Sequence, residues 1–182
     1  NLPRVALVGY TNAGKSSLMQ RLTQTPVLVE NKLFSTLDTI VKSLQPPTEP
    51  KILISDTVGF LKDLPKELLN SFKSTLLEAV HSRLLVHVVD VSHKDWRQQK
   101  AQTEDILGEI GAGKVPKILI FNKMDLMKGP QRFGYRFPKD SDGYAFSIPV
   151  SALTGEGISA LYDELLKLCG ASLPLWRSKN YE

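Results

Sequence analysis

The chain has 182 residues, of which 42% are hydrophobic and 23% are charged, a composition typical of one globular domain long enough to bury a core. No apolar run approaches the roughly 20 residues that a membrane-spanning helix needs, so we expect no segment of these residues to cross a membrane, and we see no secretory signal in them. The formal net charge is +4, and the single cysteine, Cys169, excludes an internal disulfide and indicates a reducing compartment.

Apolar runs rich in β-branched residues alternate with helical periodicity, which predicts an α/β fold. The predicted strands are Val5–Val8, Ile40–Leu44, Lys51–Ser55, Leu84–Val91, Ile118–Phe121 and Ala145–Val150, and the predicted helices are Lys15–Thr23, Leu68–His81, Arg97–Glu109 and Ile158–Leu168. Because such runs are typical of strands buried on both faces, we expect a mostly parallel six-stranded sheet with helices on both faces. Residues 1–171 form the predicted domain, and residues 172–182 are a predicted C-terminal linker or tail.

One stretch of the chain is rich in basic and loop-forming residues. Lys128–Gly143 contains Gly, Pro, Asp and aromatic residues and is predicted to be a loop. Between residues 94 and 139 there are ten lysines and arginines and five acidic residues. This charge is compatible with an RNA-facing surface and equally with ordinary solvated faces.

The segment Gly9-Tyr10-Thr11-Asn12-Ala13-Gly14-Lys15-Ser16 fits the pattern G-x-x-x-x-G-K-[ST] without a mismatch, between a predicted strand and a predicted helix. The N–H groups of such a loop turn inward to bind phosphate, and the helix N-terminus adds its positive end. We expect Lys15 to contact the β- and γ-phosphates and Ser16 to bind Mg²⁺, with Ser17 completing the loop's site. The segment therefore predicts a nucleoside triphosphate site and leaves the base open.

The base is indicated by Asn122-Lys123-Met124-Asp125, which follows a predicted strand at the edge where open α/β sheets bind ligands. The Asp125 carboxylate can accept hydrogen bonds from guanine N1–H and the 2-amino group, which adenine lacks. We expect Asn122 to tie this loop to the phosphate loop and Lys123 to lie along the base. A third segment, Ser151-Ala152-Leu153, either presents a backbone N–H to guanine O6 or only begins a helix.

The segment Asp56-Thr57-Val58-Gly59 ends another predicted strand. We expect Asp56 to hold Mg²⁺ through a water and Gly59 to donate its N–H to the γ-phosphate. Phe60 follows, where many small GTPases have a glutamine that orients the attacking water, so we expect slow intrinsic hydrolysis. Taken together, the motifs predict an enzyme that converts GTP and water into GDP and phosphate.

The segments GYTNAGKSSL, NKLFSTLDT and DTVGFLKDLPKELLNSFKSTLLEAVHSRLLVHVVDVS resemble the HflX family of ribosome-associated GTPases, from about Val5 to Ala171. The resemblance implies the three-layer, Ras-like G domain of P-loop NTPases. It also implies that Thr36, which follows Phe34 in the first switch, closes on Mg²⁺ and the γ-phosphate, with Thr39 the lesser candidate. The predicted catalytic set is then Lys15, Thr36 and Gly59, the predicted metal set is Ser16, Thr36 and Asp56, and Phe34 joins the predicted nucleotide site.

The resemblance also implies a partner, because in that family the large ribosomal subunit stimulates hydrolysis and the protein splits or rescues stalled ribosomes. The family's N-terminal domain is absent from these residues, so we expect ribosome binding to need a longer parent protein. We expect a cytoplasmic monomer without membrane or DNA partners. The alternative is a GTP-dependent signalling switch that binds a protein effector and has no ribosomal role.

Asn12 has two interpretations. Asparagine tolerates tight turns and left-handed backbone, so Asn12 could only shape the loop. Some GTPases that this loop resembles instead use such an asparagine to hold a potassium ion against the β- and γ-phosphates. That ion would stabilise the charge that an inserted arginine stabilises elsewhere.

Overall fold

The structure is a computed structural model that describes residues 1–26, 39–57, 59, 67, 73–129 and 143–174. In this part of the chain the strands are β1 (Arg4–Gly9), β2 (Ile40–Ser43), β3 (Leu53–Asp56), β4 (Leu84–Asp90), β5 (Lys117–Asn122) and β6 (Phe146–Pro149). The helices are α1 (Lys15–Thr23), α2 (Lys73–His81), α3 (Trp96–Glu109) and α4 (Ile158–Cys169), with a 3-10 turn at Met124–Leu126.

The six strands form one sheet in the order β2-β3-β1-β4-β5-β6. Strand β2 pairs antiparallel with β3, and the other neighbouring pairs are parallel. Parallel neighbours need crossover connections, and α3 supplies the one between the parallel strands β4 and β5. The predicted mostly parallel six-stranded α/β fold is confirmed.

Helices cover both faces of the sheet because the inner strands are apolar on both faces. In β1, Val5 and Leu7 pack in the core under α1 and α4, whereas Ala6 and Val8 pack in the core under α2 and α3. This two-residue alternation is the ordinary pleat of a strand. The result is three layers with a hydrophobic core on each side of the sheet.

Several predicted boundaries shift by one or two residues. The strand predicted at Lys51–Ser55 runs over Leu53–Asp56. The residue before it, Ile52, is held by the turn instead: its N–H donates to the Thr48 hydroxyl, and its carbonyl accepts from the Leu44 N–H. Helix α2 is described only from Lys73, so the predicted start at Leu68 lies outside the described residues. Most of the predicted loop, residues 130–142, also lies outside them.

The carboxyl ends of the parallel strands meet at one edge of the sheet. Register pairs Leu7 with Asp56 and Asp90 with Asn122. This edge is where open parallel sheets bind ligands, and it brings together side chains that are far apart in sequence. No helix within the described ranges is long and apolar enough to cross a membrane.

Candidate functional site

The phosphate-loop motif lies in a tight turn between β1 and α1, in which Tyr10 and Thr11 follow the strand and Ser17 lies in the first turn of the helix. Gly14 precedes the helix with a φ of 99°, a conformation that favours glycine. A Cβ on Gly14 would lie 2.2 Å from Nδ2 of Asn122. The glycine therefore leaves room for Asn122, in addition to any room that it leaves for a ligand.

Asn122 connects the phosphate loop to the Ser151-Ala152-Leu153 segment at the carboxyl edge of the sheet. Its Nδ2 donates to the Ala13 carbonyl at 2.9 Å, and its Oδ1 accepts from the Ala152 N–H at 3.0 Å. The residue is 1% exposed, and a buried amide needs such partners to offset its desolvation. The tie between Asn122 and the phosphate loop, which the sequence led us to expect, is present in this geometry.

The Ser151-Ala152-Leu153 segment is held by its own hydrogen bonds. The Ser151 N–H donates to the Glu156 carbonyl at 2.9 Å, and the Ala152 N–H is taken by Asn122. Among the described residues, no protein acceptor faces the Leu153 N–H. If a backbone N–H of this segment contacts guanine O6, the geometry therefore favours that of Leu153.

The Asp125 carboxylate is oriented by the same segment. Its Oδ1 accepts from the Ser151 hydroxyl at 2.6 Å, and the Ser151 hydroxyl in turn accepts from the Thr154 N–H at 3.1 Å. A carboxylate fixed in this way can present its remaining acceptor positions in one direction. Such an arrangement can accept hydrogen bonds from two adjacent N–H donors of a ligand.

The side chains that the sequence predicts to face phosphate form a second group. Lys15 is only 7% exposed, and its Nζ lies 3.4 Å from the Tyr10 carbonyl. Burial lowers the pKa of Lys15, and the nearby Asp56 charge opposes that shift. A Cβ on Gly59 would lie 3.2 Å from the lysine Nζ, so Gly59 packs directly against this ammonium.

Ser16 and Asp56 lie together beside this lysine. The Ser16 hydroxyl donates to Oδ2 of Asp56 at 2.9 Å. A hydroxyl and a carboxylate are hard oxygen ligands, the kind that Mg²⁺ prefers alongside phosphate oxygens and water. The two residues therefore fit the predicted magnesium site, while Thr36 and Phe34 lie outside the described residues.

Two residues next to the site adopt left-handed backbone without being glycine. Asn12 has a φ of 62° and Lys123 a φ of 66°; asparagine adopts such backbone readily, whereas for lysine it costs roughly 1 kcal/mol or more. The Lys123 Nζ donates to the Asn12 carbonyl at 2.8 Å and pairs with Oδ2 of Asp90, also at 2.8 Å. One ammonium thus connects both left-handed residues.

Two residues of this region, Asp90 and Arg21, were not among those predicted from the sequence. Asp90 is the last residue of β4. The sequence pattern that could have pointed to it is the one that pointed to Asp56: an acidic residue at the carboxyl end of an apolar strand. Arg21 in α1 donates from Nε to the Ala152 carbonyl at 2.7 Å and from Nη2 to the Leu153 carbonyl. No local pattern in the sequence distinguishes Arg21 from an ordinary exposed helical arginine.

Comparison of the sequence with known proteins finds a consistent set of relatives. The family described as 50S ribosome-binding GTPase matches residues 4–123. GTPase HflX from Gluconacetobacter diazotrophicus is 51% identical over 170 residues, which are 93% of this chain and 37% of that protein. GTPase HflX from Escherichia coli is 36% identical over 165 residues, 91% of this chain and 38% of that protein. The chain thus spans well under half the length of these curated relatives.

Solved structures show the same arrangement of elements. A GTP-binding protein from the archaeon Sulfolobus solfataricus, solved in complex with GDP, matches with a TM-score of 0.71 and 27% identity, over 92% of this chain and 52% of that one. Era from Aquifex aeolicus matches with a TM-score of 0.72 over 95% of this chain and 57% of that one. At 22% identity, the likeness to Era supports the fold alone.

Proposed function

Because the chain belongs to the 50S ribosome-binding GTPases and, within them, to the HflX family, we propose that it binds GTP at the carboxyl edge of its sheet and hydrolyses it to GDP and phosphate. The observation that supports this best is the Asn122 bridge, because one buried side chain joins the phosphate loop to the Ser151–Leu153 segment. A site for a phosphate chain and a site for a base are thereby held at a constant separation.

We assign base recognition to Asp125 and the Ser151–Leu153 segment. The carboxylate, oriented by Ser151, accepts from guanine N1–H and the 2-amino group, and the Leu153 N–H donates to O6. Adenine would leave the carboxylate without these donors, which makes its binding strongly unfavourable. Lys123 lies along the base.

We assign the triphosphate to the segment from Gly9 to Ser17. The loop N–H groups bind phosphate oxygens, and the Lys15 ammonium balances negative charge on the β- and γ-phosphates. Because burial already lowers the pKa of Lys15, an incoming phosphate supplies the counter-charge that favours its protonated form. Gly59, packed against that lysine, donates its N–H to the γ-phosphate.

Ser16, Asp56 and Thr36 would hold Mg²⁺, with Asp56 acting through a water. When bound, the ion balances charge that spreads over the transferring phosphoryl group. In hydrolysis, water attacks the γ-phosphorus and the bond to the β–γ bridging oxygen breaks. Phe60 follows Gly59 and has no group to orient that water, which supports a low intrinsic rate.

The parent protein is proposed to act in the cytoplasm on the large ribosomal subunit, in ribosome splitting, rescue or assembly, and the subunit is proposed to stimulate hydrolysis. This part of the proposal is supported by the family and by the names of the relatives. It concerns a longer protein, because the chain spans only 37% of the Gluconacetobacter relative.

The base assignment is tested by Asp125→Asn. The amide replaces an acceptor with a donor, so GTP and GDP should bind at least about a hundredfold more weakly, while xanthine nucleotides, which have a carbonyl in place of the 2-amino group, should bind better. Competition of a fluorescent GTP analogue by GTP, ATP and XTP measures both effects. Asp163→Asn, an exposed aspartate on α4, is the matched control. Unchanged GDP affinity in Asp125→Asn would contradict the proposed guanine site.

A further inference from the structure

Asp90 is a carboxylate beside the nucleotide site for which the proposed chemistry has no use. Its side chain is 14% exposed, and its Oδ2 forms an ion pair with Lys123 Nζ at 2.8 Å. Its Oδ1 accepts from the backbone N–H of Ser92 at 3.0 Å and from the Ser92 hydroxyl at 2.5 Å. The two oxygens therefore have different partners: Oδ1 caps the turn after β4, and Oδ2 binds the lysine.

Lys123 connects the Asp90 carboxylate to the phosphate loop. Lys123 Nζ also donates to the Asn12 carbonyl at 2.8 Å, across the cleft between β5 and the loop. Both residues have a left-handed backbone, with φ of 66° and 62°. Asparagine adopts this conformation readily, whereas lysine keeps it only where its surroundings impose it. Here the ammonium is the group that joins both left-handed residues to the end of β4.

We propose that Asp90 is a positioning residue for nucleotide binding, whose carboxylate fixes the Lys123 ammonium so that it holds the phosphate loop at Asn12 in its ligand-binding conformation. The inference rests on the proposed guanine nucleotide site. In this proposal Asp90 acts through Lys123 and is assigned no contact with the nucleotide itself. It acts by reducing the number of positions that a partly exposed lysine side chain would otherwise sample before the ligand arrives.

The direction of the effect distinguishes positioning from simple electrostatics. Removing a negative charge near an anionic ligand would, through the field alone, strengthen binding. Weaker nucleotide binding after loss of the Asp90 charge would therefore have to come from the lost ion pair. The surface pair Arg4–Glu78, at 3.0 Å and at the opposite edge of the sheet, is a matched control for loss of a carboxylate elsewhere.

Four variants separate the two tasks of the carboxylate. Asp90→Asn keeps an acceptor for Ser92 and loses the charge, whereas Asp90→Glu keeps the charge. Ser92→Ala removes the hydroxyl bond to Oδ1 and leaves the ion pair. Glu78→Gln controls for loss of a remote carboxylate. Affinity and dissociation rate of a fluorescent GDP are measured on the 182-residue chain, with thermal unfolding of each variant in parallel.

We expect Asp90→Asn to weaken GDP binding about tenfold, mainly through faster dissociation, and Asp90→Glu to recover most of the loss. Ser92→Ala and Glu78→Gln should stay within about twofold of the parent. Lys123→Met should weaken binding at least as much as Asp90→Asn. Adding Asp90→Asn to Lys123→Met should have no further effect, because the group through which Asp90 acts is already gone.

Three results would overturn the role of Asp90. The first is a GDP affinity that Asp90→Asn leaves unchanged or raises. The second is a full additional loss of GDP affinity when Asp90→Asn is combined with Lys123→Met. The third is an unchanged GDP affinity in Lys123→Met alone. Asp125→Asn is measured beside them. If Asp125→Asn weakens GDP as expected while Asp90→Asn is inert, only the positioning role fails. If Asp125→Asn is also inert, the guanine site fails and this inference fails with it.

Discussion

At the scale of single residues, His87 is a buried polar group within an apolar strand. It is 1% exposed in the middle of β4, and its Nδ1 lies 2.6 Å from the Tyr144 hydroxyl, which donates to Glu104 at 2.7 Å. Because that hydroxyl has one proton and donates it to Glu104, His87 Nδ1 carries the proton in their mutual hydrogen bond. Burial, assisted by the charges of Lys100, Lys117 and Lys15, lowers the pKa of His87 to about 3.

The lowered pKa of His87 predicts a loss of stability in mild acid. Between pH 6.5, the ordinary pKa, and about 3, the unfolded chain binds a proton that the folded chain does not. The unfolding free energy therefore falls as the pH drops through 6.5, by about 2 kcal/mol at pH 5 relative to neutral pH. Urea unfolding at pH 7.5 and pH 5 measures this. His87→Asn, which keeps a donor toward Tyr144, should lose less stability over the same range.

An equal acid-induced loss in His87→Asn and in the parent would assign the pH dependence to other groups, such as the carboxylates.

Asn12 belongs to the same scale, and its left-handed backbone fits its interpretation as a turn residue. That conformation does not decide whether the side chain also holds potassium. If it does, we expect hydrolysis at least about tenfold faster in KCl than in NaCl at equal ionic strength, because the ion stabilises transferring charge. Asn12→Gly keeps the positive φ, removes the side chain and should abolish the preference with little change in GDP affinity. Equal rates in the two salts would leave Asn12 as a turn residue.

At the scale of elements, α1 is connected to the Ser151–Leu153 segment by Arg21. Its guanidinium donates to the carbonyls of Ala152 and Leu153, across 131 and 132 residues of sequence. The N-terminus of the same helix is the end of the phosphate loop, so one rigid helix orients both ends of the proposed nucleotide site. A cavity lined in part by Ser17, Arg21, Leu153 and Ile158 borders this contact.

We expect Arg21→Met to weaken GDP binding about fivefold, equivalent to about 1 kcal/mol, because two hydrogen bonds that hold the Leu153 N–H in place are lost. Arg21 is exposed, which keeps the effect modest. Fluorescent GDP titration measures it, with Arg83→Met, at the opposite edge of the sheet, as control. Arg21→Lys should recover part of the loss. A GDP affinity in Arg21→Met equal to that of the parent would show that the segment keeps its place without the arginine.

At the scale of the whole molecule, the ribosomal proposal concerns more chain than these 182 residues. We expect a protein with the full length of the relatives to hydrolyse GTP slowly alone and at least about tenfold faster with purified large ribosomal subunits. Small subunits should not stimulate it. The 182-residue chain should bind GDP normally and show little stimulation, because it spans only 37% of the Gluconacetobacter relative. No response to large subunits would favour the alternative, a signalling switch with a protein effector.

The sequence alone was enough to predict the fold class, which is confirmed, and to point to four candidate nucleotide-binding segments. The proposed phosphate site would use N–H groups of consecutive residues, from Gly9 to Ser17, so its signature in the sequence is contiguous. Strand and helix types were also predictable, because their apolar periods of two and about 3.6 residues lie within short segments. The boundaries were less predictable: Lys51 and Ile52 have strand-like neighbours but belong to a turn that is closed by Thr48.

Only the tertiary structure decided which distant side chains meet. Asp90 reaches Lys123 because parallel register places Asp90 beside Asn122, and Arg21 reaches Leu153 because α1 packs beside α4. His87 on β4 contacts Tyr144, in the segment before β6, and Tyr144 contacts Glu104 on α3, although the three residues are far apart in the chain. Such contacts depend on register and packing, which no short segment encodes, because both are set by the apolar faces of all six strands and the helices that cover them.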